Sequence, residues 1–167
     1  MEAIYKRRSV RDFLENEVEE EKIEQLLRAA MTAPTAANQR EWEFIVVTEK
    51  ALLEKLSTAT PYSKPVAKAP LAIVMVSNFR KTIFPACWQQ DLGACAENIL
   101  LEAVHLGLGG VWIGVAPEDE RMKHVSDIFS LPEDVKPFSI IALGYPRDDI
   151  SQKDRYEPEK VHYNKYS

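Results

Sequence analysis

The sequence predicts an α+β fold in which helices flank a mostly antiparallel sheet. Segments 44–47, 71–76 and 139–144 are rich in apolar and β-branched residues, which is typical of strands, and 111–115 is expected to be a strand or an extended turn. One long segment, 86–106, has the length of a helix and is apolar around most of its circumference. The connections between these elements are uneven, unlike the regular strand–helix–strand units of a parallel sheet.

Shorter helices complete the predicted architecture. The clearest is 19–32, where Ile23, Leu26 and Leu27 begin an apolar stripe with helical spacing and Pro34 ends the helix. Further helices are expected at 3–6, 50–57 and 117–129, with Pro117 in the first turn of the last one. Residues 60–68 are expected to form a loop.

The long helix and the C-terminal tail both favour contact with a second chain. A helix that is apolar over most of its surface is buried in a core or a subunit interface. Its polar residues fall on one stripe, with Gln89 off it: Gln90, Asp91, Glu97, Asn98, Glu102 and His105. The tail, 145–167, is polar, contains four tyrosines and has few helix signals. Because chain ends are loose unless something holds them, we expect a partner subunit to hold this tail.

Composition excludes several functional classes. The 167 residues, 46% of them apolar, suit one compact domain spanning 1–167. The net charge of −5 argues against a nucleic-acid or membrane-surface partner. The N-terminus lacks the apolar core of a signal peptide, so we expect a cytoplasmic protein. Cys87 and Cys95 form neither a CxxC pair nor a cluster with the three histidines, which favours two buried thiols and no metal site.

The segment Arg7-Arg8-Ser9-Val10-Arg11 is the first candidate binding feature. Arginine presents a planar fork of donors that suits phosphate oxygens, and a serine hydroxyl adds another donor. Three arginines within five residues can grip one phosphate together. A solvated basic patch that balances the acidic run 15–24 explains the same composition, and the segment alone does not decide between the two interpretations.

Residues 33–42, APTAANQREW, are the second candidate. Small residues allow a flat ligand to approach the backbone, and Asn38 offers both a donor and an acceptor to the edge of a heterocycle. A plain helix-to-strand loop is the alternative interpretation.

Two later segments are weaker candidates. Residues 107–114, GLGGVWIG, lack the GxGxxG spacing and follow a helix rather than a strand, so they are no dinucleotide fingerprint. They either present backbone amides to a ligand or end a helix and begin a core strand. Lys153 and Arg155 in the tail either complete a phosphate site or are surface charge. No GxSxG elbow or partnered histidine is evident, so we expect a cofactor to carry the chemistry.

In this order and spacing, the four segments resemble the FMN-dependent nitroreductase family. The resemblance runs from Tyr5 to the end of the chain and rests on RRSVRDF, APTAANQREW, ENILLEAVHLGLGGVWIG, ALGYP and RYEPEKVHYNKY. Each motif is weak alone, but their combination in one chain is specific. The resemblance implies a homodimer with the site at its interface and the tail wrapped around the neighbouring subunit.

The resemblance also implies roles for individual residues. The FMN phosphate and ribityl chain would be held by Arg7, Arg8, Ser9 and Arg11. Arg11 would reach the pyrimidine side of the ring and is the electrostatic candidate. The ring would be contacted from the other subunit by Pro34, Thr35, Ala36 and Asn38. Ile113 and Gly114 would present the backbone amide that faces flavin N5. The phosphate site would be closed by Arg155 and Lys153.

Two positions depart from the common form of the family's second motif. Thr35 replaces a serine and keeps the hydroxyl. Glu41 replaces a proline, so we expect it to change the stiffness of the loop and to place a charge near the mouth of the substrate site. The choice of substrate is then altered more than the binding of FMN.

The implied function is that of a ping-pong oxidoreductase. NADH or NADPH would deliver a hydride to flavin N5 and leave, and a nitroaromatic or quinone acceptor would then take the electrons. The protein would supply binding, geometry and electrostatics, and the sequence names no side-chain acid or base. The alternatives are an FMN-dependent reductive dehalogenase, a flavin-fragmenting relative, and a flavin-binding sensor without turnover.

Overall fold

The computed structural model describes residues 2–148 and 154–166. Within these ranges the helices are α1 (Glu2–Lys6), α2 (Glu20–Ala30), α3 (Lys50–Leu56), α4 (Trp88–His105) and α5 (Asp119–Phe129). The strands are β1 (Trp42–Val47), β2 (Leu71–Asn78), β3 (Gly109–Gly114) and β4 (Val135–Gly144).

The four strands form one sheet in the order β1-β2-β4-β3, and every neighbouring pair is antiparallel. Both faces of the sheet are covered, since alternate residues of a strand point to opposite sides. Ile73 and Met75 pack in the layer that contains α2 and α4. Val74 and Val76 pack in the layer that contains α3 and α5. The expected α+β fold with helices flanking an antiparallel sheet is confirmed.

The long helix α4 packs one side against the sheet and buries residues along most of its length, including Leu92, Ile99 and Ala103. It ends at His105, and Gly107, two residues later, has a φ of +75° that a side chain would strain. Asp91, one of the polar residues of this helix, is buried, with only 6% of it exposed.

A bulge in β4 fixes the end of β3. Ser139 lies opposite Met75, but Pro137 lies opposite Val76, so Phe138 is an extra residue in this strand. The carbonyl oxygen of Phe138 accepts hydrogen bonds from the backbone of Val115 and Ala116. The chain therefore leaves β3 at a point that is fixed by hydrogen bonds to Phe138 in β4.

Several local expectations were wrong. Pro117 lies before α5 and follows a cis peptide bond, and the helix begins at Asp119. Lys64–Lys68 form a short 3₁₀ helix within the expected loop. Cys95 is buried, but Cys87 is only half-buried. Across the ranges that the structure describes, no helix combines the length and apolarity needed to cross a bilayer.

Candidate functional site

The arginine segment lies along the outer edge of β3. The N–H of Val10 donates to the carbonyl of Gly110 at 2.9 Å, and Ser9 and Gly110 form a parallel bridge. A Cβ at Gly109 would stand 2.5 Å from Cγ2 of Val10, so only glycine allows this approach. Two segments that the sequence suggested separately are thus in direct contact.

The downstream end of this segment is held by the start of the tail. Phe13 forms an antiparallel bridge with Pro146, and the N–H of Leu14 donates to the carbonyl of Tyr145 at 2.9 Å. Arg147 donates from its side chain to the carbonyl of Phe13 at 3.1 Å. The backbone of residues 9–14 is therefore anchored at both ends, with Arg11 between the anchors.

The arginine side chains differ in how firmly the chain holds them. Nε of Arg7 lies 3.2 Å from a carboxylate oxygen of Glu97 on α4, and this side chain is 23% exposed. Arg8 donates to the carbonyl of Lys6 at 3.3 Å. Ser9 and Arg11 are exposed, and among the described residues the contact of Arg11 is a long one, 3.5 Å to the carbonyl of Ser9. Arg11 is the arginine most available to a ligand.

The outer edge of β3 also presents a backbone amide at Gly114. The carbonyl of Gly110 points outward to Val10, while the N–H of Val115 points to β4. Because these directions alternate along a strand, the N–H of Gly114 points outward and that of Ile113 points to β4. A Cβ built at Gly114 meets no atom within 4 Å, so the space beside it is open.

The loop after α2 has an unusual backbone. Ala36–Asn38 form a 3₁₀ turn, and φ is +50° at Ala37, +53° at Asn38 and +47° at Arg40. The left-handed region is unfavourable for residues other than glycine, by roughly 1–2 kcal/mol each. The hydroxyl of Thr35 accepts a hydrogen bond from the N–H of Arg40 at 3.2 Å and closes the loop.

The first turns of α4 hold this loop. The N–H of Ala36 donates to Oδ1 of Asp91 at 3.0 Å. Pro34 and Asn38 are exposed, and Thr35 and Ala36 are half-buried. The loop is anchored at Asp91 and the arginine segment at Glu97, about 9 Å further along α4 at the helical rise. The two candidate segments are thus fixed to different points of one helix.

Glu41 does not lie at a substrate mouth, which corrects the expectation from the sequence. Its side chain is fully buried, with 0% exposed, and Oε1 accepts a hydrogen bond from Gln39 at 3.1 Å. Burial raises the pKa of Glu41, and the charge of the neighbouring Asp91 raises it further. The departure from the family motif showed that Glu41 is unusual, but it did not show where the side chain points. A loop sequence does not reveal which of its side chains turn inward.

The remaining candidates lie in the tail. Arg155 is exposed. Lys153 lies outside the residues that the structure describes. The tail also exposes Tyr156, Tyr163 and Tyr166, with 70%, 80% and 90% of each accessible. Aromatic side chains are large apolar surfaces, so this exposure is unusual for one chain alone.

Sequence reasoning missed three residues that position the candidate site. Gly109 allows the arginine segment to dock, Glu97 orients Arg7, and Asp91 holds the loop. The polar stripe of α4 contained Asp91 and Glu97, and polar residues on a mostly apolar helix were the only available signal. Which neighbours they contact depends on how the helices pack.

The chain belongs to the nitroreductase family, since residues 4–78 and 58–145 match the model of that family. A Methanothermobacter thermautotrophicus protein, provisionally named an NADH dehydrogenase/NAD(P)H nitroreductase, is 42% identical over 166 residues, covering 99% of this chain and 87% of that protein. A crystal structure of a provisional NADH oxidase from Clostridium acetobutylicum has a TM-score of 0.96 and 45% identity, covering 98% of this chain and 99% of that one. An FMN-dependent nitroreductase from Clostridium difficile has a TM-score of 0.92 and 32% identity, covering 99% of this chain and 100% of that one.

The residues present fit FMN. The arginine segment supplies cationic donors for a phosphate at one end of the β3 edge. The open N–H of Gly114 supplies a donor for a ring atom at the other end. Gly110 and Gly114 are about 13 Å apart along an extended strand. An elongated ligand with a phosphate at one end and a flat ring at the other matches this arrangement.

Proposed function

We propose that this chain is an FMN-dependent NAD(P)H oxidoreductase whose site forms between two copies of the chain. The observation that carries the proposal is the outer edge of β3, which combines the docked arginine segment with the open amide of Gly114. When bound, FMN would accept a hydride at N5 from NADH or NADPH and pass electrons to a nitroaromatic or quinone acceptor in a second half-reaction. The names of the Methanothermobacter and Clostridium difficile relatives support this assignment.

The arginine segment is assigned to the phosphate and ribityl chain. Ser9 bridges Gly110 at the docking point and would supply a hydroxyl there, and the adjacent Arg8 would supply a cation. Arg7 is oriented by Glu97, which fixes its guanidinium beside α4. Arg11 is exposed and is assigned to the pyrimidine side of the ring, where a positive charge stabilises negative charge that develops on reduction.

The second chain is assigned the other half of the site. Thr35, Ala36 and Asn38 would meet the ring from the partner, because the strained loop is exposed at Asn38 and held rigidly from below by Asp91. The exposed tyrosines of the tail would pack on the partner and bring Arg155 to its phosphate site. A two-fold dimer would contain two such sites.

A comparison of FMN with riboflavin tests the phosphate assignment. Riboflavin has the same ring and ribityl chain but no phosphate. The wild type should bind FMN more tightly than riboflavin, and Arg8→Ala should weaken FMN binding by about 10- to 150-fold, the loss of one charge-assisted hydrogen bond. Arg8→Ala should leave riboflavin binding nearly unchanged. Equal affinity of the wild type for both flavins would contradict the assignment of the arginine segment to the phosphate.

Mixing two defective variants tests whether the site contains two chains. Arg8→Ala damages the phosphate half, and Asn38→Trp places bulk at an exposed loop position where the ring would lie. After subunit exchange, heterodimers would carry one intact site and one doubly defective site. About one quarter of all sites should regain activity under random pairing. No recovery, with exchange shown by mass spectrometry, would place the whole site in one chain.

An acceptor panel tests the reaction. The FMN-loaded protein should oxidise NADH or NADPH in the presence of a nitroaromatic or a quinone, and the double-reciprocal plots for donor and acceptor should be parallel, as in a ping-pong mechanism. An aryl halide belongs in the same panel. Turnover with the halide alone would assign reductive dehalogenation instead, and bound FMN without turnover of any acceptor would assign a sensor.

A further inference from the structure

A buried polar cluster lies beneath the 34–41 loop, and among its members only Asp91 has been given a role above. It consists of Gln39, Glu41 and Asp91, of which 8%, 0% and 6% are exposed. Arg40, between the first two, is exposed, so the chain turns polar side chains inward on either side of it. Carboxyl groups are rarely buried so completely unless they are paired.

Gln39 joins three parts of the chain through this cluster. Its amide nitrogen donates to Oε1 of Glu41 at 3.1 Å and to Oδ2 of Asp91 at 2.7 Å. Its carbonyl oxygen accepts from the backbone N–H groups of Ile83 and Phe84, both at 2.9 Å. The amide therefore uses its full hydrogen-bonding capacity to connect the loop, the start of α4 and the segment before α4.

In the part of the chain that the structure describes, no cationic side chain pairs with either carboxyl group. Within residues 2–148 and 154–166, neither Glu41 nor Asp91 forms an ion pair. Oε2 of Glu41 is buried and meets no hydrogen-bond donor in the same ranges. The Cys95 thiol of α4 supplies no balancing charge either, because burial raises the pKa of Cys95 to about 12 and this thiol is neutral.

A proton on Glu41 resolves both problems. Two ionised carboxylates in one dry site repel each other, and removing one charge ends the repulsion. A protonated Oε2 becomes a donor, and the neighbouring acceptor is the carboxylate of Asp91, because one amide nitrogen of Gln39 contacts both carboxyl groups.

We propose that Glu41 and Asp91 share one proton, and that this proton holds the 34–41 loop against α4 and residues 83–84 in the conformation that binds FMN. The inference rests on the proposed function, which assigns the loop to the flavin ring. The loop needs such support because Ala37, Asn38 and Arg40 all have left-handed backbone conformations. Glu41 and Asp91 are positioning residues, since they act through the loop.

The direction of the pH effect follows from the raised pKa of Glu41. The stabilisation is fully present below the pKa of glutamate in the unfolded chain, and it is lost as the pH rises through the raised pKa of the folded state. Loss of the proton places a second negative charge in the cluster and forces the loop away from Asp91. FMN affinity should therefore fall by up to about tenfold for each pH unit above that pKa.

Flavin titrations across pH test this inference. FMN dissociation constants are measured from acidic to mildly alkaline pH for the wild type, Glu41→Gln and Glu43→Gln. In Glu41→Gln the side-chain amide is a permanent donor to Asp91, so the alkaline loss of affinity should disappear while affinity at acidic pH stays within a few-fold of the wild type. Glu43→Gln is the matched control, because Glu43 pairs with Lys81 at 2.7 Å and not with this cluster, and it should keep the wild-type profile.

Each outcome separates the shared proton from the proposed function. An alkaline loss in Glu41→Gln equal to that of the wild type, or a flat profile in the wild type, would overturn the shared proton. Absence of FMN binding by the wild type at every pH would overturn the proposed function instead. In that case, NMR of the carboxyl carbons of the wild type still tests whether Glu41 carries the proton. The pKa of Glu41 should lie above that of ordinary glutamates, and an ordinary glutamate pKa would refute the inference.

Discussion

Replacing Gly109 by alanine perturbs the site strongly without substituting any side chain that is a candidate for binding the ligand. The added Cβ would stand 2.5 Å from Cγ2 and 2.9 Å from Cβ of Val10. The Cβ of Val10 is bound to the backbone, so rotating that side chain cannot relieve the second contact. The arginine segment itself must move away from β3.

The magnitude follows from this geometry. Overpacking of this kind costs about 1–3 kcal/mol of unfolding free energy, which a domain with roughly 5–15 kcal/mol in total survives. The displaced segment carries Arg8 and Arg11 out of register with Gly114. Loss of one charge-assisted hydrogen bond to the phosphate, about 1.5–3 kcal/mol, would raise the FMN dissociation constant by about 10- to 150-fold.

Urea unfolding and FMN titration measure the two effects separately. Gly93→Ala is the matched control, because its Cβ would meet only the Trp112 ring at an ordinary 3.7 Å. It lies inside α4, so its unfolding free energy should stay the same or rise by up to about 1 kcal/mol, with FMN binding unchanged. If Gly109→Ala loses stability but binds FMN as the wild type does, the segment does not hold FMN. If it behaves like Gly93→Ala in both assays, the docking on β3 is wrong.

Three further predictions test other parts of the account. Gly114→Pro should preserve folding, because the N–H of Gly114 points away from the sheet, but it should slow flavin reduction at least about tenfold. Gly114→Ala keeps the N–H and should retain the wild-type rate of flavin reduction. A large loss of unfolding free energy in the proline variant would contradict the outward direction of this N–H. Replacing Tyr163 and Tyr166 by serine should shift sedimentation equilibrium towards the monomer, and an unchanged mass would remove the tail from the interface. The pKa of Glu43 is lowered, mainly by its hydrogen bond with Lys81. Lys81→Met should therefore cost up to about 1 kcal/mol of unfolding free energy near neutral pH, and this difference should vanish as the pH falls through the pKa of Glu43. A difference that does not depend on pH would contradict the Glu43–Lys81 pair.

Local patterns in the sequence were sufficient for the elements of the fold. The apolar run of 71–76 predicted a strand, and β2 is buried from Leu71 to Ser77, as in a strand that is covered on both faces. The glycine after α4 predicted the end of that helix, because Gly107 adopts a backbone conformation that favours glycine. Such features depend on residues that are close in sequence.

Local sequence patterns could not predict the order of the strands in the sheet or the direction in which loop side chains point. β4 pairs between β2 and β3, which makes β3 an edge strand and opens its amide at Gly114, and no local pattern reports that pairing. Glu41 was expected to place a charge near the mouth of the substrate site because it replaces a proline in the loop that the resemblance assigns to the flavin ring. Its burial depends on Asp91 and Gln39, which the packing of α4 brings together.

The segments that form the candidate site could be predicted from the sequence, but the way they contact one another could not. The arginine segment and the glycine-rich segment each had an ordinary alternative interpretation. Their contact, through Val10 and Gly110, makes the arginines part of a shaped edge rather than a scattered basic patch. The contact requires glycine at position 109, which is a long-range requirement that the sequence shows only as one glycine among several.

Anaerobic mixing of the FMN-loaded protein with NADH and with NADPH tests the central claim most directly. The account predicts that at least one nucleotide bleaches the flavin absorbance in a single turnover, and that a nitroaromatic or quinone added afterwards, without nucleotide, restores it. Flavin that binds tightly but is reduced by neither nucleotide would contradict the assignment of this chain as an NAD(P)H oxidoreductase.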